Sequence, residues 1–329
     1  MANGAVPIVA CVGAGRMGRG IAHCFAYAGF EVRLVDAKQR SKAAQAAFFE
    51  QTYEEIRSSL ATVADLGGFD RKLVERIAGR VAVFPREDAS AALEGARFVF
   101  ETVPETDEAK REALALIDEA ADADAIVAST TSTYLSTQLS AWSGRPRHFL
   151  NAHWLNPAFI VPLVELSPTD ETDPDVVAET KALLEGIGKV PVVCKASPGY
   201  IVPRIQALAM NEAARLVEEG VASAEDIDKA VKYGFGFRFA VLGLLEFIDW
   251  GGGDILYHAS RYLSDAMNDP RFATPEIVRS NMAEKRNGLR DGKGFYDYAD
   301  IRVDDYRRAK MTAFMKSLEN AGLTREPVP

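Results

Sequence analysis

Residues 148–167, HFLNAHWLNPAFIVPLVELS, hold a histidine and a carboxylate at a spacing that suits proton transfer. The stretch reads as an apolar strand ending at His153, a turn through Asn156-Pro157, and a second apolar strand carrying Glu165. A carboxylate on the next strand can hold one imidazole nitrogen, fix the tautomer and raise the basicity of the other, which makes His153 a general base. The plainer alternative is a strand-end histidine satisfied by backbone, with Glu165 a rim carboxylate. Glu105 with Lys110, and Ser132, also follow apolar runs. Singly they read as first-turn helix charges and an N-cap or turn hydroxyl.

These groups need elements that bring them to one place. Residues 7–12 (PIVACV) form a short apolar run, followed at once by Gly13-Ala14-Gly15-Arg16-Met17-Gly18. An amphipathic helix then runs to about Ala28 and stops at Gly29, and a second strand, 31–36, ends in Asp36. GxGxxG alone is weak, but strand, glycine loop, helix and a following acidic strand end together point to dinucleotide binding. Gly13 permits the tight turn, Gly15 lets backbone approach a pyrophosphate, and Gly18 lets helix and strand pack closely. The helix N-terminus offers free N–H groups to the phosphate. Asp36 accepts from ribose hydroxyls and repels a 2′-phosphate, so NAD is expected over NADP. Lys38 and Arg40 either soften that repulsion or lie on a solvated helix face.

Helical patterns over 38–60 and 70–78 interrupt the β-α-β rhythm, and strand patterns return at 81–84, 98–102 and 125–128. The alternation implies an α/β fold, a Rossmann-type doubly wound sheet with a helical insertion. In such sheets ligands lie beyond the carboxyl ends of the strands, where Glu105, Lys110, Ser132 and His153 converge. The insertion's Arg71, Lys72, Arg76 and Arg80 either meet a phosphorylated substrate tail or form a solvated face. After a linker at 195–199 the pattern is helical: 203–219, 224–233, 253–267, 274–286 and 303–321. The expected division is a cofactor domain over 1–196 and an all-α substrate and dimerisation domain over 197–329. The aromatic run 233–239, with Phe247, Trp250 and Gly251-Gly252-Gly253, reads as interhelical turns or a substrate wall.

Composition narrows the classes. The chain has 329 residues, 48% hydrophobic and 26% charged, with net charge −9. That length suggests two cores, since single cores rarely grow past about 250–300 residues. There is no basic stripe to suit nucleic acid or a membrane surface, and no apolar run of the roughly 18–20 residues that crosses a bilayer. Cys11, Cys24 and Cys194 lack metal-ligand spacing and read as reduced thiols of a cytoplasmic protein, with no metal expected. The N-terminal apolar run leads straight into the glycine loop, unlike a cleaved leader.

Taken together, GAGRMGRGIA (13–22), ETVPE-to-Lys110 (101–110), STTS (129–132), HWLNPAFIVPLVE (153–165), SPGYIVPR (197–204), RLVEEG (215–220) and GLRDGKGFYDY (288–298) resemble the 3-hydroxyacyl-CoA dehydrogenases over nearly the whole chain. The resemblance implies that the residue matching His153 removes the alcohol proton and that matching Glu165 orients it. It implies that the serine at Ser132 bonds the reacting oxygen or its neighbour, and that the glutamate at Glu105 lies beside the cofactor. Candidate NAD contacts are Gly13, Gly15, Arg16, Met17, Gly18, Asp36, Glu105, Lys110, Ser132 and Asn156. A homodimer through the helical half is implied, and a small-molecule substrate, foremost a (3S)-hydroxyacyl-CoA of fatty-acid metabolism. One position departs: Pro203 stands where the family pattern PGF-[IV]-x-N-R has an asparagine that touches substrate. The turn motif and the tail 303–321 also resemble branches acting on L-gulonate, carnitine or a pyridine alcohol or aldehyde. A cofactor-binding structural protein without turnover, as among lens crystallins, is the alternative from another class.

Overall fold

The computed structural model describes residues 7–328. Eight strands alternate with helices through the first part of the chain: β1 (Ile8–Val12), α1 (Arg16–Tyr27), β2 (Val32–Val35), α2 (Lys42–Asp65), α3 (Val74–Ala78), β3 (Val81–Phe84), α4 (Ala89–Leu93), β4 (Ala96–Glu101), α5 (Asp107–Ala120), β5 (Ile126–Ser129), α6 (Ser136–Ser140), β6 (Phe149–Trp154), β7 (Leu163–Pro168), α7 (Pro174–Gly186), β8 (Val190–Val193) and α8 (Val202–Glu218). They make one sheet in the order β3-β2-β1-β4-β5-β6-β7-β8, parallel throughout except for the antiparallel β6–β7 pair. The central strands are apolar on both sides because helices cover both faces. One core gathers Phe25, Ile56, Leu60, Phe100 and Trp154; the other gathers Val99, Leu114, Ile117, Val127 and Phe149.

Helix ends follow from local chemistry. Thr106 caps α5 by accepting from Ala109 N–H, with Asp107 and Glu108 in the first turn, and Asp173 caps α7 ahead of Pro174. Helix α1 begins at Gly15 with no side-chain cap and no acidic residue in its first turn, which leaves its N-terminal N–H groups available.

Of the two readings of the insertion's basic residues, the structure supports the solvated face. Helix α2 starts at the carboxyl end of β2, capped by Ser41, and runs back along α1. It delivers Arg71, Lys72 and Arg76 to the amino edge of the sheet. There Arg80 O accepts from Val32 N–H at the start of β2, and the Arg80 guanidinium donates to Ala26 O, 2.8 Å away. Arg71 pairs with Asp65. The basic cluster therefore faces away from the ligand edge. Lys38 and Arg40 precede α2 and are not on a helix face.

Residues up to Ala209 form one compact unit and those from Met210 a second. The second unit is helical, with Ala224–Ala230 widening into Val231–Gly236, then Leu244–Gly251, Gly253–Met267, Glu276–Ala283 and Val303–Asn320. Phe247 and Trp250 stand on the Leu244–Gly251 helix, which removes the turn from the two readings given for them. Buried Asp249 accepts from Phe295 N–H (3.0 Å), Tyr296 N–H (2.9 Å) and Tyr298 Oη (3.1 Å), which fixes the GLRDGKGFYDY loop. Among the described residues, no helix is long and apolar enough to cross a membrane. No cluster of three or more His, Cys, Asp or Glu side chains among them is placed to hold a metal.

Candidate active site

Each glycine of the loop has its own reason. Gly13 adopts φ +115°, and a Cβ there would lie 2.7 Å from Thr102 backbone. A Cβ on Gly18 would lie 2.0 Å from Gly13 O, whereas Gly15 faces open space with nothing within 4 Å. Thr102 pins the loop from β4, its N–H donating to Val12 O (2.9 Å) and its hydroxyl to Gly13 O (2.5 Å). Backbone at Gly15 and the uncapped end of α1, with exposed Arg16, thus form a cradle for a pyrophosphate, and Met17 packs below it against the core. Asp36 ends the neighbouring strand, nearly buried at 3% exposure, and accepts from Lys38 N–H and from Arg40 Nε. The Arg40 guanidinium rests 4.0 Å over the Phe48 ring. Beside it is a pocket of about 210 Å³, with apolar walls from Ala37, Val103, Pro104 and Ala109 and a charged rim of Lys38, Arg86, Glu108 and Glu112. These residues fit NAD.

The candidate base sits across the β6–β7 pair, where His153 and Glu165 are direct register partners. Nδ1 of His153 lies 2.8 Å from Glu165 Oε2, and Oε1 accepts from Ile201 N–H (2.9 Å) and Val202 N–H (2.8 Å) at the start of α8. Both residues are buried. With both oxygens of Glu165 accepting, Nδ1 donates to Oε2 and Nε2 is the ring nitrogen left to face a substrate. Pro203 follows directly in the helix's first turn, where an N–H has no helical partner to lose.

Beside this pair the β5–α6 turn is tied to Glu105. Glu105 accepts from Ser132 N–H (2.9 Å), Thr131 Oγ1 (2.7 Å) and Thr133 Oγ1 (3.1 Å). Ser132 itself is exposed. Lys110 is fully buried, its Nζ 3.0 Å from both carboxylate oxygens of Glu101 and 3.9 Å from Glu105. Glu101 is also fully buried and accepts from Ser129 Oγ (2.5 Å) and Val103 N–H (2.8 Å). Lys110 therefore acts on the ligand edge through Glu105, from beneath. Asn156, on the β6–β7 turn, shares with Arg16, Arg19, Glu55, Ser59 and Phe159 a pocket of about 130 Å³.

Sequence reasoning did not find Tyr200 and Asn151. The Tyr200 ring stacks on His153, with centroids 4.8 Å apart and planes 14° apart. Its hydroxyl donates to Thr131 O (2.9 Å) and accepts from Asn151 Nδ2 (2.9 Å), and burial pushes its pKa up. The available signal was position alone: Asn151 lies two residues before His153, on the same strand face. Glu101 was hidden in an apolar run. The thiols of Cys11 and Cys24 are pushed up by burial, Cys24 to about 11, and are inert at neutral pH.

Residues 8–197 match the model for "3-hydroxyacyl-CoA dehydrogenase, NAD binding domain", and residues 199–298 that for "3-hydroxyacyl-CoA dehydrogenase, C-terminal domain". The chain is 32% identical to 5-formyl-3-hydroxy-2-methylpyridine 4-carboxylate 5-dehydrogenase of Mesorhizobium japonicum, covering 94% of this chain and 98% of that one. It is 34% identical to the human lambda-crystallin homolog over 87% of this chain and 90% of that one. Among solved structures, the 3-hydroxyacyl-CoA dehydrogenase from Archaeoglobus fulgidus superposes with a TM-score of 0.75 at 29% identity, covering 97% of this chain and 100% of that one. Glycine cradle, strand-end carboxylate and buried His–Glu pair stand where such an enzyme needs them, and the chain belongs to the 3-hydroxyacyl-CoA dehydrogenase family, as an NAD-dependent oxidoreductase acting on a CH–OH group.

Proposed function

We propose that the chain oxidises the secondary alcohol of a 3-hydroxyacyl compound, foremost a (3S)-hydroxyacyl-CoA of the 3-hydroxybutyryl type. The observation that carries this is the 2.8 Å His153–Glu165 pair at the carboxyl edge of a sheet that also bears the glycine cradle. Nε2 of His153 takes the hydroxyl proton, and the imidazolium so formed is stabilised by Glu165, whose charge the Ile201 and Val202 N–H groups hold in place. Ser132 bonds the developing carbonyl oxygen. NAD, when bound, supplies the hydride acceptor. Gly13, Gly15, Arg16, Met17 and Gly18 hold its pyrophosphate end, Asp36 its adenosine ribose, and Glu105, Ser132 and Asn156 line the path beyond.

A second reading, a free hydroxy acid or a pyridine alcohol or aldehyde, is favoured by Pro203, which replaces a substrate-facing amide, and by the placement of Arg71, Lys72 and Arg76 on the far edge. NADH formation with (3S)-hydroxybutyryl-CoA, free 3-hydroxybutyrate, L-gulonate, carnitine and a pyridine methanol separates the two. The thioester should exceed the free acid in kcat/KM by about 100-fold, because remote contacts to the nucleotide serve the transition state. Equal rates, or turnover of a small carboxylate alone, would move the assignment to the second reading. No turnover on any member would favour a structural role.

We also propose a cytoplasmic homodimer. Within the second unit, Met210 and Val217 stand at 69% and 47% exposure, apolar side chains that a second copy would cover. Light scattering on the purified chain tests it: a mass of one chain would reject the dimer.

A further inference from the structure

Tyr200 carries features that core packing does not require. It follows Gly199 (φ +76°) with a φ of +46°, a left-handed conformation that a tyrosine adopts at a cost and keeps only where its surroundings over-determine it. Here they do. The ring lies flat against His153, the hydroxyl is fully engaged between Thr131 O and Asn151 Nδ2, and the next two N–H groups clamp Glu165. Asn151 in turn donates to Tyr134 O (3.0 Å), in the turn that carries Ser132. Thr131 also reaches the other way, its hydroxyl donating to Glu105.

Resting on the reading of His153 as the base, we propose that Tyr200 is a positioning residue for the reaction. Its ring fixes the plane of the imidazole, and its hydroxyl ties that plane to the Thr131–Ser132 turn. The proton acceptor on β6 and the group facing the nascent carbonyl on the β5–α6 turn are thereby held at a constant separation. Without the hydroxyl, the Asn151–Tyr134 O bond and the pairing of β5 with β6 remain, but the imidazole plane loses its own tie to the turn.

The test pairs kinetics with a readout that needs no substrate. Tyr200→Phe keeps the stack and removes both hydroxyl bonds. With the best substrate of the panel, kcat should fall on the order of tenfold with KM for NAD unchanged, the loss expected for two modest hydrogen bonds. The primary deuterium isotope effect on kcat should grow, because misplacement slows hydride transfer itself. A variant that had merely lost folded protein would show the same isotope effect as the wild type. In the proton NMR spectrum, the His153 ring signals, assigned by their loss in His153→Asn, should lie upfield in the wild type and in Tyr200→Phe, and move downfield in Tyr200→Leu. Wild-type kcat and isotope effect in Tyr200→Phe would overturn the role of the hydroxyl. An unshifted His153 signal in the wild type, readable even if Tyr200→Leu does not fold, would overturn that of the ring. If no panel substrate is turned over, the proposed function fails on its own, and the NMR result still decides the contact.

Discussion

Arg40 donates its Nε to Oδ2 of Asp36, so the carboxylate at the end of β2 already carries a cation of its own. Cofactor choice depends on both residues. The wild type should prefer NAD, because Asp36 presents acceptors to ribose hydroxyls and a like charge to a 2′-phosphate. In Asp36→Ala the guanidinium stays over Phe48 and becomes free to meet a phosphate. The NADP to NAD ratio of kcat/KM should then rise by about 10-fold or more, the scale of one charged hydrogen bond gained or lost. An unchanged ratio would show that Asp36 does not face the ribose.

His153→Asn removes the proton acceptor while keeping shape, and should lower kcat by about 10²–10⁴-fold. NAD affinity, measured by fluorescence titration, should not change. Glu165→Gln should lower kcat by less, since the ring keeps a hydrogen-bond partner while the imidazolium loses its stabilising charge. Near-normal turnover in His153→Asn would remove the base from the mechanism.

The glycines separate folding from binding. Gly15→Ala places a methyl in open space, so Tm should hold while the NAD Kd weakens by about tenfold, roughly 1.4 kcal/mol. Gly18→Ala drives a methyl to within 2.0 Å of Gly13 O, so the loop must shift and Tm itself should drop. Equal melting temperatures for the two variants would contradict that geometry.

His23 gives a pH dependence of stability. Burial, aided by the Lys189 charge, pushes its pKa down to about 4 from the ordinary 6.5. Below pH 6.5 the unfolded chain takes up a proton that the folded one refuses. The contribution is therefore complete above pH 6.5 and is lost as the pH falls through about 4, in total about 3 kcal/mol. Denaturant titrations across this window should show stability falling with acid, and His23→Gln, which keeps a partner for Ser59, should flatten the slope by up to one proton.

Reversing Arg71, Lys72 and Arg76 to Glu should leave KM for every panel substrate unchanged. These side chains stand at the amino edge, about 13 Å of strand from the site for four residues at roughly 3.3 Å each. A raised KM for the thioester alone would show that its nucleotide reaches around the insertion.

Strong periodicity and punctuation made much of this readable in advance. Gly13, Gly15 and Gly18 between strand and helix announced the cradle, and two apolar runs around Asn156-Pro157 announced the hairpin that joins His153 to Glu165. What stayed hidden depends on direction in space and not on spacing. Arg71 to Arg80 sit in the insertion as expected, yet nothing in their spacing says at which edge a 24-residue helix will leave them. Glu101 ends an apolar strand like any boundary residue, and only the fold shows that Lys110 is folded under to neutralise it. Tyr200 directly follows the segment 195–199 that reads as a linker, and the Leu244–Gly251 helix is masked by flanking glycines.

The antiparallel return of β7 has an evolutionary consequence. His153 and Glu165 meet because they are register partners, and slipping the pair by one residue would send Glu165 to the opposite face of the sheet. In the loop between Trp154 and Leu163 the register constraint lapses, although Ala158 is buried in the core and its carbonyl accepts from Cys24 Sγ and Lys189 Nζ. Proton transfer is thus inherited with the strands, while an exposed residue of the rim above them, such as Ile160, can change without moving either partner. A lineage can change what it oxidises by editing a few loop residues and never disturb how it oxidises.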